Sequence, residues 1–197
     1  MVDVKKWNKI LLIGFSFVFL GMIILDQSTK YWSEKKFLIH SSSFQIHDYL
    51  AQSQQVFHLG SDNWLNFSLT YVRNTGAAWG LLGNLPESIR PYFFYVLTAV
   101  AMLFILYFFF KTSSQNFFTR FGIVLIFSGA MGNYIDRVWL HYVIDWIHFD
   151  WKILFWEYDY PVFNVADCGV TGGVMVLILE VIILEIRQKF FRTKKQP

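Results

Sequence analysis

The chain predicts a membrane α-helical fold: four transmembrane helices with a small extracytoplasmic β element, a cradle, at the outer membrane interface. Three observations carry that expectation. Of 197 residues, 55% are hydrophobic and only 16% charged, where a soluble domain carries roughly 25% charged. Four apolar runs are long enough to cross a hydrocarbon core. Phe, Trp and Tyr make up 20% of the chain, an excess that suits aromatic belts at two membrane interfaces.

The first run covers residues 10–25 and is entered after Lys5, Lys6 and Lys9. It has the basic start and apolar middle of a secretory signal peptide. No small-residue cleavage site follows; the chain continues Asp26-Gln27-Ser28-Thr29-Lys30-Tyr31-Trp32, so the run is read as a retained span. An outer segment, residues 33–89, starts polar from Ser41 to Gln55. Leu65, Phe67, Leu69 and Tyr71 then interleave with Asn66, Ser68 and Thr70, the period of a strand with one covered face. Gly76, Gly80 and Gly83 break the pattern and permit turns.

The second span covers 92–110, between Arg90 and Lys111, and the third covers 121–135, between Arg120 and Asp136-Arg137. A second outer segment, 138–162, holds Trp139, Trp146, Trp151, Trp156, Tyr158 and Tyr160. It is expected to rest at headgroup depth. The fourth span covers 165–186. Its polar ends, Asp167 and Arg187, stand about 30 Å apart along a helix, one hydrocarbon thickness. Gly129, Gly132, Gly169, Gly172 and Gly173 are expected to let helices pack closely. With no repeats and no linker, residues 1–197 read as a single membrane domain.

Ten of the seventeen Lys and Arg fall before the first span, between the second and third, or after the fourth. That side is cytoplasmic by the positive-inside rule, so both termini are inside and the polar motifs lie at the outer face. The net charge of +3 is small and scattered and gives no footing for nucleic acid. Cys168 is the only cysteine, so no internal disulfide forms.

Asp145, in Tyr142-Val143-Ile144-Asp145-Trp146, and Asp167, in Phe163-Asn164-Val165-Ala166-Asp167, are carboxylates at the edge of a bilayer, where charge is costly and retained for function. If the end of the third span turns back over the fourth, the two approach one another. Like charges that close share a proton near neutral pH. One carboxylate then activates a water against a peptide carbonyl while the other, protonated, polarises it and later protonates the leaving amine. The scheme needs no metal and no cofactor. Two unrelated interfacial aspartates are the bland alternative.

Asn133, Asp136 and Arg137 lie at i, i+3 and i+4 on the third span, where Arg137 can pair with a carboxylate or a substrate carbonyl. A structural Asp136–Arg137 pair is the simpler reading. Asp26 and Lys30 are one helical turn apart and pair by default. Asn74, with Gly76 two residues on, can bond a passing backbone or cap its own turn. His141, Asp145 and His148 share one face only if their segment is helical, and no His-Glu-x-x-His accompanies them. Ser128 lacks a histidine in any other span to activate it, and Cys168 lacks a basic partner.

Asp26-Gln27-x-x-Lys30, Asn74-x-Gly76-Ala77-Ala78-x-Gly80, Gly132-Asn133-x-x-Asp136-Arg137, Val143-Ile144-Asp145 and Phe163-Asn164-x-Ala166-Asp167 together resemble lipoprotein signal peptidase, the type II signal peptidase family of bacteria. The resemblance implies a four-span aspartic endopeptidase of the bacterial cytoplasmic (inner) membrane. Such an enzyme removes signal peptides from prolipoproteins, cutting just before a diacylglyceryl-modified cysteine. It implies Asp145 and Asp167 as the catalytic pair. Asn133, Arg137 and Asn164 would position substrate and support the pair, and Asn74, Gly76, Asp26, Asp136 and Lys30 would shape the surroundings. It implies lipid-modified prolipoproteins and membrane lipid as partners, a monomer, no metal, and inhibition by the cyclic peptide globomycin. Trp79 and Trp146 stand where Phe is expected and Cys168 where Ser is usual; the segment from Lys36 to Asn63 is longer than the family needs. The rival reading from another class is a small transporter or assembly factor using the same aspartates as ion sites. It requires polar residues continuing toward the cytoplasm, where the second and fourth spans offer only Thr98, Thr171 and Glu180.

Overall fold

The structure, a computed structural model, describes residues 4–38, 54–59, 64–76, 86, 89–153 and 156–193. In chain order the elements are α1 (Val4–Leu38), β1 (Gln54–Leu59), β2 (Leu65–Asn74), α2 (Arg90–Lys111), α3 (Phe117–Leu140), β3 (Val143–Ile153), β4 (Trp156–Phe163) and α4 (Val165–Thr193). The four helices are each long and apolar enough to cross a membrane, as expected. α3 is the central one, packed against α1, α2 and α4. Bulky side chains such as Phe17, Leu103, Phe110 and Ile186 stand exposed along the others, as lipid-facing surface requires.

The helices outrun the apolar runs that announced them. α1 continues thirteen residues past Leu25 to Leu38, because its outer turns are covered by the sheet. Phe37 packs with Tyr71 and Ile144, and Ser33 Oγ donates to the Thr70 carbonyl at 3.3 Å. Gly132 shows why α1, α3 and α4 approach so closely there. A Cβ at this position would lie 2.6 Å from Asp26 Oδ2 and 3.2 Å from Ala166 Cβ. Gly172 departs from the packing expectation, since a Cβ there would meet nothing.

The sheet is antiparallel in the order β1-β2-β3-β4. Half of it comes from residues 143–163, which the aromatic content had marked only as an interfacial surface. Those rings instead build a ladder across strands: Phe67 stacks on Phe149, Phe149 on Phe163, and Trp151 on Tyr160. β2 has the expected period, but both of its faces are covered. Ser68 and Thr70 are buried along with Tyr71, and Ser68 Oγ bonds His148 Nδ1 at 3.1 Å. A bulge between Leu69 and Val72 shifts the pairing with β3, and with it the alternation. The long segment from Lys36 to Asn63, and the glycines at 80 and 83, fall largely outside the described residues; 54–59 within that segment form the edge strand β1.

Candidate active site

The chain reverses direction at His141, where α3 ends. His141 adopts φ 68°, a left-handed conformation uncommon for a side-chain-bearing residue, and its N–H donates to the Arg137 carbonyl at 3.1 Å. Two residues later β3 begins and carries Asp145 back beside β2, where it pairs in register with Val72. From the other direction β4 runs into Asn164, and α4 starts at Val165.

Asn164 and Asp167 close a reciprocal cap on that helix. Asp167 N–H donates to Asn164 Oδ1 at 3.0 Å, and Asn164 N–H donates to Asp167 Oδ2 at 3.1 Å. The cap sets Asp167 in the first turn, where the helix dipole favours a negative charge. With its oxygen committed to Asp167 N–H, Asn164 has only its Nδ2 to offer. That nitrogen donates to Asp145 Oδ1 at 2.6 Å, with Asn133 Oδ1 at 3.1 Å and the Ile144 carbonyl at 3.2 Å also in range. One fully buried asparagine therefore holds both aspartates, and the expected meeting of Asp145 with Asp167 is realised.

Two further amides complete the set. Asn74 Oδ1 accepts from the Gly76 N–H at 3.1 Å, and its Nδ2 donates to Asp145 Oδ2 at 2.9 Å. Of the two roles open for Asn74 the turn cap is formed, and its Nδ2 meets the Asp145 side chain rather than a passing backbone. A Cβ on Gly76 would meet open space. Asn133 Nδ2 donates to Asp167 Oδ1 at 2.8 Å. Its orientation is set by Lys30, a donor with no acceptor capacity, whose Nζ donates to Asn133 Oδ1 at 2.9 Å.

Lys30 is itself only 1% exposed and pairs with Asp26 at 2.8 Å and Asp136 at 2.9 Å. The i, i+4 pair is as expected, and the Asp136–Arg137 pair is not formed. Adjacent residues on a helix point about 100° apart, so Asp136 reaches α1 while Arg137 reaches α2, where its guanidinium lies over the Phe94 ring. Asp136 Oδ2 also accepts the Ile144 N–H at 3.1 Å, and Asp26 Oδ1 accepts the Ala166 N–H at 2.9 Å. The ion triad thus bolts the segment before Asp145 and the first turn of α4 to the bundle. Gln27, which the sequence reading left without a role, donates to Asp136 Oδ1 at 2.8 Å and to the Gly132 carbonyl at 3.2 Å. The place of Asn164 three residues before Asp167, ahead of an apolar run, was the signal for the cap.

Asp145 is 3% exposed. That burial, then the neighbouring Asp167 charge, push its pKa up to about 7 against the pull of Asn74, Asn164 and Lys30. The site therefore sets a buried carboxyl group that holds its proton toward neutral pH beside a second, half-buried aspartate. The other candidate chemistries lose their geometry. His141, Asp145 and His148 are not on a helix: His141 bonds Tyr95 Oη, and His148 lies between Ser68 and Asp159. Ser128 Oγ donates to the Leu125 carbonyl of its own helix at 2.9 Å.

The chain matches known proteins over most of its length. The family model of signal peptidase (SPase) II covers residues 18–183. A lipoprotein signal peptidase of Staphylococcus aureus strain MRSA252 is 37% identical over 158 residues, 80% of this chain and 81% of that protein. The homologue from strain JH9 is 36% identical over the same length. A bacterial membrane enzyme solved by the in meso method at 2.3 Å superposes with TM-score 0.63 and 34% identity, covering 93% of each chain. A second such structure, at 1.9 Å, gives TM-score 0.61 over 85% of this chain and 92% of that one. Sequence and fold agree on descent: this membrane protein belongs to the signal peptidase II family of peptidases.

Proposed function

We propose that the chain is an aspartic endopeptidase of the bacterial inner membrane. It cleaves the signal peptide from prolipoproteins just before a diacylglyceryl-modified cysteine, with Asp145 and Asp167 as its catalytic pair. The observation that carries this reading is the convergence of both carboxylates on Asn164, with one of them buried and protonated up to about pH 7. Four membrane helices and family membership support a multi-pass protein acting on lipoprotein signal peptides. The basic residues beside the helix ends support cytoplasmic termini and a site at the outer face. Both aspartates come from one chain, so a monomer suffices to build the pair.

In this reading Asp167 is the base. It takes a proton from a water as the water oxygen bonds to the scissile carbonyl carbon. Asp145, the buried member, carries the shared proton and donates a hydrogen bond to the carbonyl oxygen as negative charge builds there. The C–N bond then breaks, and the proton passes from the pair to the departing amine of the modified cysteine. Asn133, Asn164 and Asn74 hold the two carboxyl groups in place throughout, and the Lys30 triad holds the asparagines and backbone that carry them.

The test is cleavage of a diacylglyceryl-modified prolipoprotein by purified protein with a metal chelator present. Wild type should cleave, and Asp145→Asn and Asp167→Asn should fold yet be inactive. Near-normal turnover by either variant makes that aspartate structural and overturns the mechanism. Loss of wild-type turnover on adding chelator would move the reading to a metallopeptidase.

A further inference from the structure

Arg137 differs from the other charged groups around the pair. Asp26, Lys30 and Asp136 are matched to one another, and Asp145 and Asp167 each accept from two donors. Among the described residues, the Arg137 guanidinium has no carboxylate at ion-pair distance and no hydrogen-bond partner. Its contact is the Phe94 ring, whose centroid lies 5.4 Å from the guanidinium carbon. Yet Arg137 is half-buried and lies one helical turn beyond Asn133, which bonds Asp167.

Phe94 is built for this contact. It is 6% exposed on α2, while Tyr92, Phe93, Val96 and Leu97 around it face outward. The adjacent Tyr95 bonds through its hydroxyl to His141, the residue that ends α3 one turn beyond Arg137. This end of α2 is therefore held against the end of α3 at two successive residues. An aromatic face attracts a guanidinium without consuming any of its five N–H donors. A carboxylate in the same place would hold the cation equally well but would occupy two of them.

We propose that Phe94 is a positioning residue for peptide-bond cleavage. Its ring holds the Arg137 guanidinium beside the aspartate pair with its N–H edge unspent, so that Arg137 takes a backbone carbonyl of the bound substrate next to the scissile bond. The proposal rests on the reading of Asp145 and Asp167 as the catalytic pair.

The experiment compares kcat/KM on the lipid-modified prolipoprotein for wild type, F94L, F94W, R137Q and F94L/R137Q, using single-turnover assays where rates are low. F94L should lose about tenfold, F94W should stay near wild type, and F94L should cost nothing further once Arg137 is Gln. F94M, which keeps the apolar volume, must repeat the loss if F94L folds poorly. Wild-type turnover in F94L and F94M overturns the proposal. A loss shared by F94W, or one that persists undiminished in the R137Q background, assigns Phe94 to helix packing and overturns it equally. Failure of the catalytic-pair reading is distinguishable, because it shows as turnover retained by Asp145→Asn or Asp167→Asn.

Discussion

Replacing Asp145 with Asn should change how the stability of this protein responds to pH, in a direction opposite to the usual carboxylate. The folded carboxyl keeps its proton to about pH 7, whereas the unfolded chain releases it near 3.8. Between those values the native state binds more protons than the unfolded state. The stability this group contributes is therefore intact below pH 3.8 and declines as pH rises toward 7. At about 1.36 kcal/mol per pH unit, the interval from 3.8 to about 7 amounts to about 4 kcal/mol. The asparagine side chain has the same shape and does not titrate. Its amide hydrogens would face one of two fixed donors, Asn74 Nδ2 or Asn164 Nδ2, a conflict of about 1–3 kcal/mol. The protonated aspartic acid meets the same conflict through its O–H, so variant and wild type should be comparable at pH 4. By pH 8 the variant should have gained about 4 kcal/mol relative to wild type, roughly 10 °C in Tm for a chain of this size. The assay is thermal unfolding in detergent from pH 4 to 8 for both proteins. Tm curves that stay parallel, or wild type gaining on the variant as pH rises, would refute the assignment of a proton-retaining, buried Asp145.

Other substitutions test the frame around the pair. Lys30→Met leaves Asp26 and Asp136 buried without their cation and should cost about 3–5 kcal/mol, read as a large drop in Tm together with lost turnover. Gly132→Ala places a methyl 2.6 Å from Asp26 Oδ2 and should destabilise by about 1–3 kcal/mol, whereas Gly172→Ala, with nothing in reach, should leave Tm within about 2 °C of wild type. Asn74→Ala removes a donor that favours the ionised form of Asp145, so the pH profile of kcat should move to higher pH. A profile that moves to lower pH would place the titrating group elsewhere.

The helices were legible because a bilayer demands long apolar runs, and Asp145 and Asp167 stood out because charge at its edge is costly. The sheet was half legible. β2 announced itself by alternation, but β3 and β4 did not, because aromatic residues serve an interfacial surface and a cross-strand ladder equally well. Ser68 and Thr70 misled for a related reason: polar side chains read as solvent-facing until His148 and the outer turns of α1 cover them. Adjacency suggested that Arg137 would pair with Asp136, and helix geometry sends the two to different neighbours. The meeting of the carboxylates depended on the chain reversing at His141, a histidine in a conformation more often given to glycine.

Among the described residues, every side chain that donates to the two carboxylates is an amide: Asn74 and Asn164 on Asp145, Asn133 on Asp167. Amides neither gain nor lose charge across the biological pH range. A change of pH can therefore empty or fill the proton site without disarming the clamps that hold it, and the pair keeps its alignment while only its occupancy varies. The vulnerability moves from acidity to ageing. Deamidation of any of the three would turn a donor into a carboxylate aimed at another carboxylate, a lesion no change of pH in the working range could undo.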